Sequence, residues 1–257
     1  MASVTPVTPV THDIRLVVLD MAGTTVADDG LVEQAFTAAA RHLGEEPATM
    51  LDYVRATMGE SKISVFRHLF GEEAKAQQAN RAFESAYADL VDGGRVTALP
   101  GARETIETLK SQDRTVVLTT GFARTTQDAI LAALGWQDLA HLTLCPADAG
   151  GRGRPYPDMV LTAFLRTGAA DAVGQLAVVG DTSYDMLSGV RAGAGVVAGV
   201  LTGAHRRDAL SGAGATHVLG SVAELPALLA ELTPQPQPQP QTRSTMSAME
   251  STTFVGR

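Results

Sequence analysis

Short apolar runs alternate with amphipathic helical patterns along most of this sequence, and this alternation restricts the possible folds more than any other feature. Continuous apolar runs are typical of strands that are buried on both faces. The alternation therefore predicts a doubly wound α/β fold, a Rossmann-like parallel sheet with helices on both faces. The clearest strand candidates are Ile14–Leu19, Thr115–Thr119 and Leu176–Val179, and the weaker ones are Leu142–Cys145, Val196–Val200 and His217–Leu219. The helical patterns between them are Gly101–Gln112, Thr125–Leu134, Pro157–Thr167 and Tyr184–Ala192.

One long region interrupts the alternation after the first strand. Four helical patterns and no convincing strand follow one another there: Leu31–His42, Pro47–Thr57, Lys62–Phe70 and Glu73–Val91. We expect a helical cap domain over residues 27–96, inserted into a core of residues 14–26 and 97–233. Because ligands bind at the carboxyl edge of the strands in such folds, an insert at this position is placed to act as a lid.

The two ends of the chain differ in composition from the rest. Residues 1–13 are polar and rich in proline and threonine, which indicates a flexible arm. Proline and glutamine alternate from Pro234 to Gln241, and such a repeat has no apolar face to bury. We therefore expect residues 234–257 to form a disordered tail.

Charge and cysteine content exclude several classes of function. The net charge of −8 leaves no general basic excess for binding nucleic acid or an anionic membrane. Cys145 is the single cysteine, so an intramolecular disulfide and a multi-cysteine metal site are excluded. No run approaches the ~20 apolar residues of a membrane span, and the first residues do not resemble a signal peptide. A cytoplasmic protein that acts on a small molecule is the expectation.

Polar residues with the chemistry of phosphate and metal binding follow successive predicted strands. A carboxylate at a strand tip, such as Asp20, can serve as nucleophile and metal ligand. Asp181 and Asp185, four residues apart at a strand tip and a helix start, suit Mg²⁺, which prefers hard oxygen ligands. The hydroxyl of Thr120, with nearby backbone N–H groups, and the guanidinium of Arg154 suit an anion. A turn, a helix cap or a surface arginine would explain each segment alone, but their ordered recurrence indicates one site.

These four segments resemble the motifs of the haloacid dehalogenase superfamily, whose members are Mg²⁺-dependent and form an aspartyl-phosphate. The resemblance covers residues 14–225. It implies that Asp20 is the nucleophile and that Thr120 and Arg154 hold the phosphoryl oxygens. It also implies that Asp20, the backbone carbonyl of Ala22 and Asp181 hold Mg²⁺, with Asp185 adjacent.

The subfamily is indicated by Ala22, which stands where most phosphatases of this superfamily have an acidic residue. The sequence Asp-x-Ala-Gly-Thr-Thr, beginning at Asp20, resembles phosphonoacetaldehyde hydrolase (phosphonatase), in which carbon is the leaving group. The segment from Met58 to Ile63 resembles the same family, with Lys62 at the position of its Schiff-base lysine. The resemblance implies that Lys62 is catalytic. It places the substrate-binding positions at Thr24, Met58, Gly59 and Gly121.

Three functions remain open from the sequence. The first is a phosphonatase that converts phosphonoacetaldehyde to acetaldehyde and phosphate through a Lys62 Schiff base. The second is a phosphate-monoester phosphatase in which Lys62 clamps the phosphate, and the third is a catalytically weak phosphometabolite-binding protein. Val65, Phe122 and Gly30 depart from the phosphonatase pattern, where His, a hydroxylated aromatic residue and Cys stand. A homodimer is compatible with the sequence.

Overall fold

A computed structural model describes residues 13–233 and contains one six-stranded sheet. The predicted arm, apart from Asp13, and the predicted tail lie outside the described residues. All strand pairs are parallel and the strand order is β3-β2-β1-β4-β5-β6, which confirms the predicted α/β class. The strands are β1 (Leu16–Asp20), β2 (Thr115–Thr119), β3 (Leu142–Leu144), β4 (Leu176–Gly180), β5 (Val196–Val200) and β6 (His217–Leu219).

Helices cover both faces of this sheet and fill the region between β1 and β2. The first five are α1 (Leu31–His42), α2 (Ala48–Ala56), α3 (Lys62–Phe70), α4 (Glu73–Asp92) and α5 (Ala102–Ser111). The others are α6 (Arg124–Leu134), α7 (Asp158–Thr167), α8 (Ser183–Ala192), α9 (Arg207–Gly212) and α10 (Leu225–Leu232). Over residues 13–233, no helix has both the length and the apolar character that a bilayer crossing requires.

The apolar composition of the strands follows from burial on both sides. In β1, Val17 and Leu19 join a cluster that includes α5, α6 and α10, whereas Leu16 and Val18 join a cluster with α7. All five residues of β1 are buried. Side chains on both faces of β1 therefore contact apolar neighbours, so every residue of the strand before Asp20 must be apolar. This accounts for the continuous apolar runs in the sequence.

Strand order places two strand ends with acidic residues side by side. The chain runs outward from β1 through β2 to β3 and returns to β4 beside β1, so the direction of winding changes between β1 and β4. Asp20 pairs with Thr119 of β2, and Leu19 pairs with Val179 of β4. Ligand sites of doubly wound folds lie at such a switch point.

The helical insert, residues 31–92, packs on the same side of the sheet as α6. Phe36 of α1 lies 4.8 Å from the ring centres of both Phe66 and Phe83, and these buried rings join the core of the insert to that of the sheet. Helix α4 packs directly against α6. The insert therefore rests beside the carboxyl edge of the sheet. The domain limits at residues 26/27 and 96/97 remain a prediction.

Several predicted bounds shift, and two helices were not predicted. The first strand starts at Leu16 instead of Ile14 and includes Asp20. Pro157 precedes the first turn of α7 instead of occupying its first position. Helix α9 has only six residues and therefore too short a pattern to detect. Helix α10 has apolar residues on most of its surface, which obscures the helical period.

Candidate active site

Asp20 is held at the end of β1 by a tight turn. Three successive backbone N–H groups, of residues 24–26, donate to the carbonyl of Met21 at 2.8–3.2 Å. Gly23 has φ of 85°, and a Cβ there would lie 2.5 Å from Oδ2 of Asp181. Only glycine combines this left-handed backbone with so close an approach. The turn therefore brings the Asp20 loop directly against the end of β4.

Three carboxylates meet at this edge, as the sequence predicted from their positions at strand ends. Ligand atoms of Asp20, Asp181 and Asp185 lie within 4.8 Å of one another, and all three side chains are buried. In their ionised forms they would carry three negative charges beside the guanidinium of Arg154. This donor set of hard oxygen atoms with excess negative charge fits Mg²⁺.

The protonation of these carboxylates reflects the same crowding. Burial raises the pKa of Asp20 well above its usual range, although the charge of Arg154 opposes the rise. Burial, followed by the charge of Asp185, raises the pKa of Asp181 to about 7. A divalent cation at this place would favour the ionised forms of both groups.

Asp181 is oriented by groups from two other loops. Its Oδ2 accepts a hydrogen bond from the backbone N–H of Ala204 at 2.7 Å. Thr24 donates its hydroxyl to Oδ1 at 3.3 Å. Thr24 is fully buried behind this carboxylate and does not line the cavity, so the structure corrects its predicted place beside the substrate. Its role in the structure is to hold Asp181.

Arg154 lies between two of the carboxylates. Its guanidinium contacts Oδ1 of Asp20 at 2.7 Å and Oδ1 of Asp185 at 2.6 Å, and it donates to the hydroxyl of Thr119 at 2.7 Å. Asp185 also accepts from the backbone N–H of Thr182 at 3.1 Å, so it caps α8 while it holds the arginine.

Thr120 and Gly121 follow β2 and line the cavity. The hydroxyl of Thr120 accepts from the N–H of Phe122 at 3.2 Å, and the N–H of Thr120 donates to Leu144 at 3.2 Å. Two of the N–H groups that the sequence offered to an anion are therefore used within the fold. The Thr120 hydroxyl can still donate its own proton to a ligand.

The insert reaches this edge through the loop between α2 and α3. Met58 and Gly59 line the cavity, as predicted. Gly59 has φ of 97°, and a Cβ there would lie 2.5 Å from Oγ1 of Thr182. The loop therefore closes directly onto the start of α8. The backbone N–H of Lys62 donates to the carbonyl of Gly121 at 3.3 Å, which is a second link between insert and core.

Lys62 begins α3 and lines the cavity with only 7% of its surface exposed. Its Nζ lies 5.2 Å from the ring centre of Phe122 and 5.9 Å from that of Phe36. Within residues 13–233 it has neither an ion pair nor a side-chain hydrogen bond. Burial lowers the pKa of Lys62 to about 8, although the negative charge of Asp28 opposes this.

Two further polar residues of the insert lie near Lys62 in the sequence. Ser61 directly precedes α3, and its hydroxyl pairs with that of Ser64 at 2.7 Å instead of capping the helix through a backbone N–H. His68, one turn further along α3 than Val65, is exposed and stacks on Tyr53 at 4.2 Å. It therefore does not face the cavity and cannot replace a group at Val65.

The cavity has a volume of about 480 Å³ and lies between the insert and the carboxyl edge of the sheet. Sequence reasoning found Asp20, Lys62, Thr120, Arg154 and Asp181 among its lining residues. It missed others that line the cavity from the linker, the insert and the loop after β5: Asp28, Val32, Arg55, Leu99, Thr182, Thr202, Gly203 and Ala204. Asp28 lies in the linker that leaves the carboxyl end of β1 and leads into α1. That position alone could have indicated that it lies near the strand ends.

Comparison with known sequences identifies the family of this fold and site. The sequence profile described as haloacid dehalogenase-like hydrolase matches residues 14–193. The chain belongs to this family of hydrolases. The match includes Asp20, Arg154, Asp181 and Asp185, so the family assignment rests on the same segments that form the carboxylate cluster.

Two relatives of the chain are named as different enzymes. The chain is 31% identical to a probable phosphatase, IndB, of Dickeya dadantii, over 77% of this chain and 86% of that protein. It is 25% identical to a phosphonoacetaldehyde hydrolase of Parabacteroides distasonis, over 73% of this chain and 81% of that protein.

A solved structure shows the same fold. The crystal structure of a phosphonoacetaldehyde hydrolase-like protein from Oleispira antarctica superimposes with a TM-score of 0.76 at 23% identity. The superposition covers 90% of this chain and 96% of that one. The sequence prediction of a phosphonatase-like member of the haloacid dehalogenase superfamily is confirmed at the level of family, fold and hydrolase class.

Proposed function

We propose that this hydrolase cleaves the C–P bond of phosphonoacetaldehyde, giving acetaldehyde and phosphate. The substrate is a small phosphonate that carries an aldehyde, and the cavity between insert and sheet receives it. The proposal is supported by two features of that cavity, a reactive amine on the insert and the lack of an acidic side chain at residue 22.

The buried amine of Lys62 is the observation that carries the proposal. An ammonium that only clamped a phosphate would keep a high pKa and remain charged. Burial against two aromatic rings instead lowers the pKa of Lys62 to about 8. A substantial fraction is then the neutral amine near pH 7–8, and the neutral amine is the form that attacks a carbonyl carbon.

Ala22 gives the second line of support. A phosphate ester leaves as an alkoxide that needs a proton, and Ala22 offers no acidic side chain in the turn after Asp20. A carbon leaving group attached to an iminium needs no such acid, because the iminium accepts the electron pair. A missing acid and an available amine are therefore chemically consistent.

Asp20, the backbone carbonyl of Ala22 and Asp181 would hold Mg²⁺, with Asp185 beside them. When bound, the cation would neutralise charge on the phosphoryl oxygens and on Asp20. Arg154 and the hydroxyl of Thr120 would bind the other phosphoryl oxygens. The carboxylate of Asp20 then attacks phosphorus in line with the C–P bond.

Lys62 prepares the leaving group before that attack. Its amine condenses with the aldehyde and releases water, which leaves an iminium. When Asp20 forms its bond to phosphorus, the C–P electron pair moves into an enamine. Protonation of the enamine and hydrolysis release acetaldehyde, and water hydrolyses the aspartyl-phosphate to free phosphate.

The test is to add phosphonoacetaldehyde, reduce with borohydride and locate the adduct by peptide mass spectrometry. We expect an adduct on Lys62 and phosphate release that exceeds release from a panel of phosphate esters. Lys62→Arg keeps a positive charge but cannot form the iminium, so C–P cleavage should be lost. Lys75→Arg, on an exposed face of the insert, is the matched control and should behave as the wild type.

The second candidate is a phosphate-monoester phosphatase, which is favoured by the 31% identity to a probable phosphatase. In that case Lys62 would bind the phosphate and Lys62→Arg would still hydrolyse esters at a near-normal rate. Absence of any lysine adduct together with that result would replace the C–P proposal with the phosphatase.

A further inference from the structure

Asp28 has no role in the chemistry described so far, yet it lines the same cavity as Lys62. It lies in the linker between β1 and α1. Its Oδ1 accepts a hydrogen bond from the backbone N–H of Val32 at 3.0 Å, which fixes the carboxyl at the start of α1. The other oxygen accepts no hydrogen bond from residues 13–233 and is free to act on a ligand.

The carboxyl of Asp28 and the amine of Lys62 affect each other without forming an ion pair. The negative charge of Asp28 is the largest charge effect on Lys62, and it acts to raise the pKa of the amine. The two groups do not approach within ion-pair distance in the described part of the chain. The two groups therefore do not neutralise each other by direct contact, and both line the cavity that a ligand would enter.

A buried hydroxyl close to Asp28 is the second independent observation. Tyr87 of α4 is fully buried, and its Oη has no hydrogen-bond partner among residues 13–233. Its ring lies 4.7 Å from that of Phe122, which in turn lies under Lys62. Burial, with the charge of Asp28, raises the pKa of Tyr87, so its proton stays in place as a donor. An unsatisfied buried donor of this kind needs an explanation.

We propose that Asp28 is the acid–base catalyst for the condensation at Lys62, donating a proton to the departing carbonyl oxygen and recovering one on hydrolysis. This inference rests on the proposed C–P function. It assigns to this linker residue the proton transfer that an amine and an aldehyde cannot complete alone.

The step balances when it starts from neutral Lys62 and protonated Asp28. Neutral Lys62 forms the N–C bond, the carbonyl electron pair moves to oxygen, and a proton passes from nitrogen to that oxygen to give a carbinolamine. Protonated Asp28 then donates to the hydroxyl, the C–O bond breaks, and water leaves an iminium beside a carboxylate. On hydrolysis the carboxylate takes a proton from the attacking water, and collapse of the carbinolamine restores neutral Lys62 and protonated Asp28.

The charges around the pair permit this exchange. Burial raises the pKa of Asp28, and the nearby charges of Glu33 and Asp29 add to the rise. Lys62 faces Asp20, Arg154 and Asp181 as well as Asp28, and burial outweighs their effects. The affinities of carboxyl and amine for a proton are therefore closer together than in water, so the neutral carboxyl and the neutral amine that the step requires coexist more readily.

The test measures how fast the Lys62 adduct forms when phosphonoacetaldehyde is quenched with borohydride at successive times. Asp28→Asn keeps Oδ1 for Val32 and preserves the start of α1. We expect it to slow adduct formation by roughly a hundredfold. Asp28→Glu should form the adduct roughly tenfold faster than Asp28→Asn, because glutamate again supplies a carboxyl group. Asp92→Asn is the control, since Asp92 is an exposed carboxylate at the end of α4 and does not line the cavity, and its rate should stay within about twofold of the wild type.

A purely electrostatic effect of Asp28 predicts the opposite sign. Without its negative charge the pKa of Lys62 would fall further, more neutral amine would be present near pH 7, and the adduct would form faster. An unchanged or faster rate in Asp28→Asn, with a wild-type adduct present, overturns the role of Asp28 and leaves the C–P function standing. If the wild type itself forms no adduct, both the role of Asp28 and the C–P function are overturned. Thermal melts of each variant exclude unfolding as the cause of a slow rate.

Discussion

Replacing Lys62 with methionine should stabilise the protein while removing the reactive amine. Lys62 is only 7% exposed, and its charge has no ionic partner among the described residues. Methionine is unbranched, similar in length and uncharged, so it can fill the same space beside Phe122 and Phe36. Lys62→Met thus isolates the cost of burying one charge.

The magnitude follows from the pKa of Lys62, which falls from 10.5 to about 8 on burial. A shift of this size corresponds to a charging cost of about 3 kcal/mol at pH 7. Because a pKa shift is the net preference of a site for the neutral form, this cost already includes the attraction of the cation to the rings of Phe122 and Phe36. We therefore expect the variant to gain about 3 kcal/mol in free energy of unfolding at pH 7.

The gain should depend on pH in a defined direction. Below pH 8 the folded and unfolded states both carry the lysine proton, and the full cost of burying the charge is present. Between pH 8 and 10.5 the unfolded state binds more protons than the folded state, so wild-type stability rises with pH. At pH 10 the charging cost falls to about 1 kcal/mol, so the advantage of Lys62→Met should shrink from about 3 to about 1 kcal/mol.

Urea unfolding of metal-free protein at pH 7 and pH 10 measures this difference. Lys75→Met is the matched control, because Lys75 also lies over an aromatic ring, Phe70, at 4.8 Å but is partly exposed and paired with Glu45. That variant should not be stabilised at either pH. A Lys62→Met protein that is less stable than the wild type at pH 7, or whose gain does not fall at pH 10, would refute the argument that a buried charge lowers the pKa of Lys62.

Asp20→Asn should lower turnover by roughly a thousandfold or more while the protein stays folded, as measured by phosphate release and circular dichroism. Chelation should stop turnover reversibly, and Ca²⁺ should restore it poorly because it prefers longer bonds and more ligands than Mg²⁺; full activity in excess chelator would contradict the metal role. Gly59→Ala should cost about 1–3 kcal/mol more than Gly44→Ala, which has a similar φ but no neighbour within 4 Å. Tyr87→Phe should raise the free energy of unfolding by about 1 kcal/mol, and a loss instead would mean that the hydroxyl has a partner.

The sheet and the strand-end residues could be predicted from the sequence because each depends on a local pattern. Strands buried on both faces must be apolar along their length, so the runs at β1, β2 and β4 are unambiguous. Once those strands are parallel, the residues after them share one edge. Asp20, Thr120 and Asp181 are therefore predicted together before any contact is known.

Contacts made by long or distant side chains could not be predicted in the same way. Arg154 is long enough to reach several strand ends, and the sequence alone does not indicate that its partners are Asp20 and Asp185. Thr24 was assigned to the substrate, but the fold around Gly23 turns its hydroxyl toward Asp181. Tyr87 has the helical spacing of an ordinary core residue in α4, and no sequence pattern distinguishes a satisfied hydroxyl from an orphaned one.

The groups that conflict with ordinary burial rules gather at one boundary, between the helical insert and the carboxyl edge of the sheet. Three crowded carboxylates lie on the sheet side. On the insert side lie a lysine and a tyrosine hydroxyl that have no polar partner within residues 13–233. Each is destabilising by itself, and the packed rings of Phe36, Phe66 and Phe83 supply apolar contacts that oppose this cost. Apolar residues at these positions would make the protein more stable, so the polar groups are best explained by a chemical function. Their concentration around a single cavity is therefore the strongest physical reason to place the chemistry there, and to expect that loosening the insert from the sheet would impair every step together.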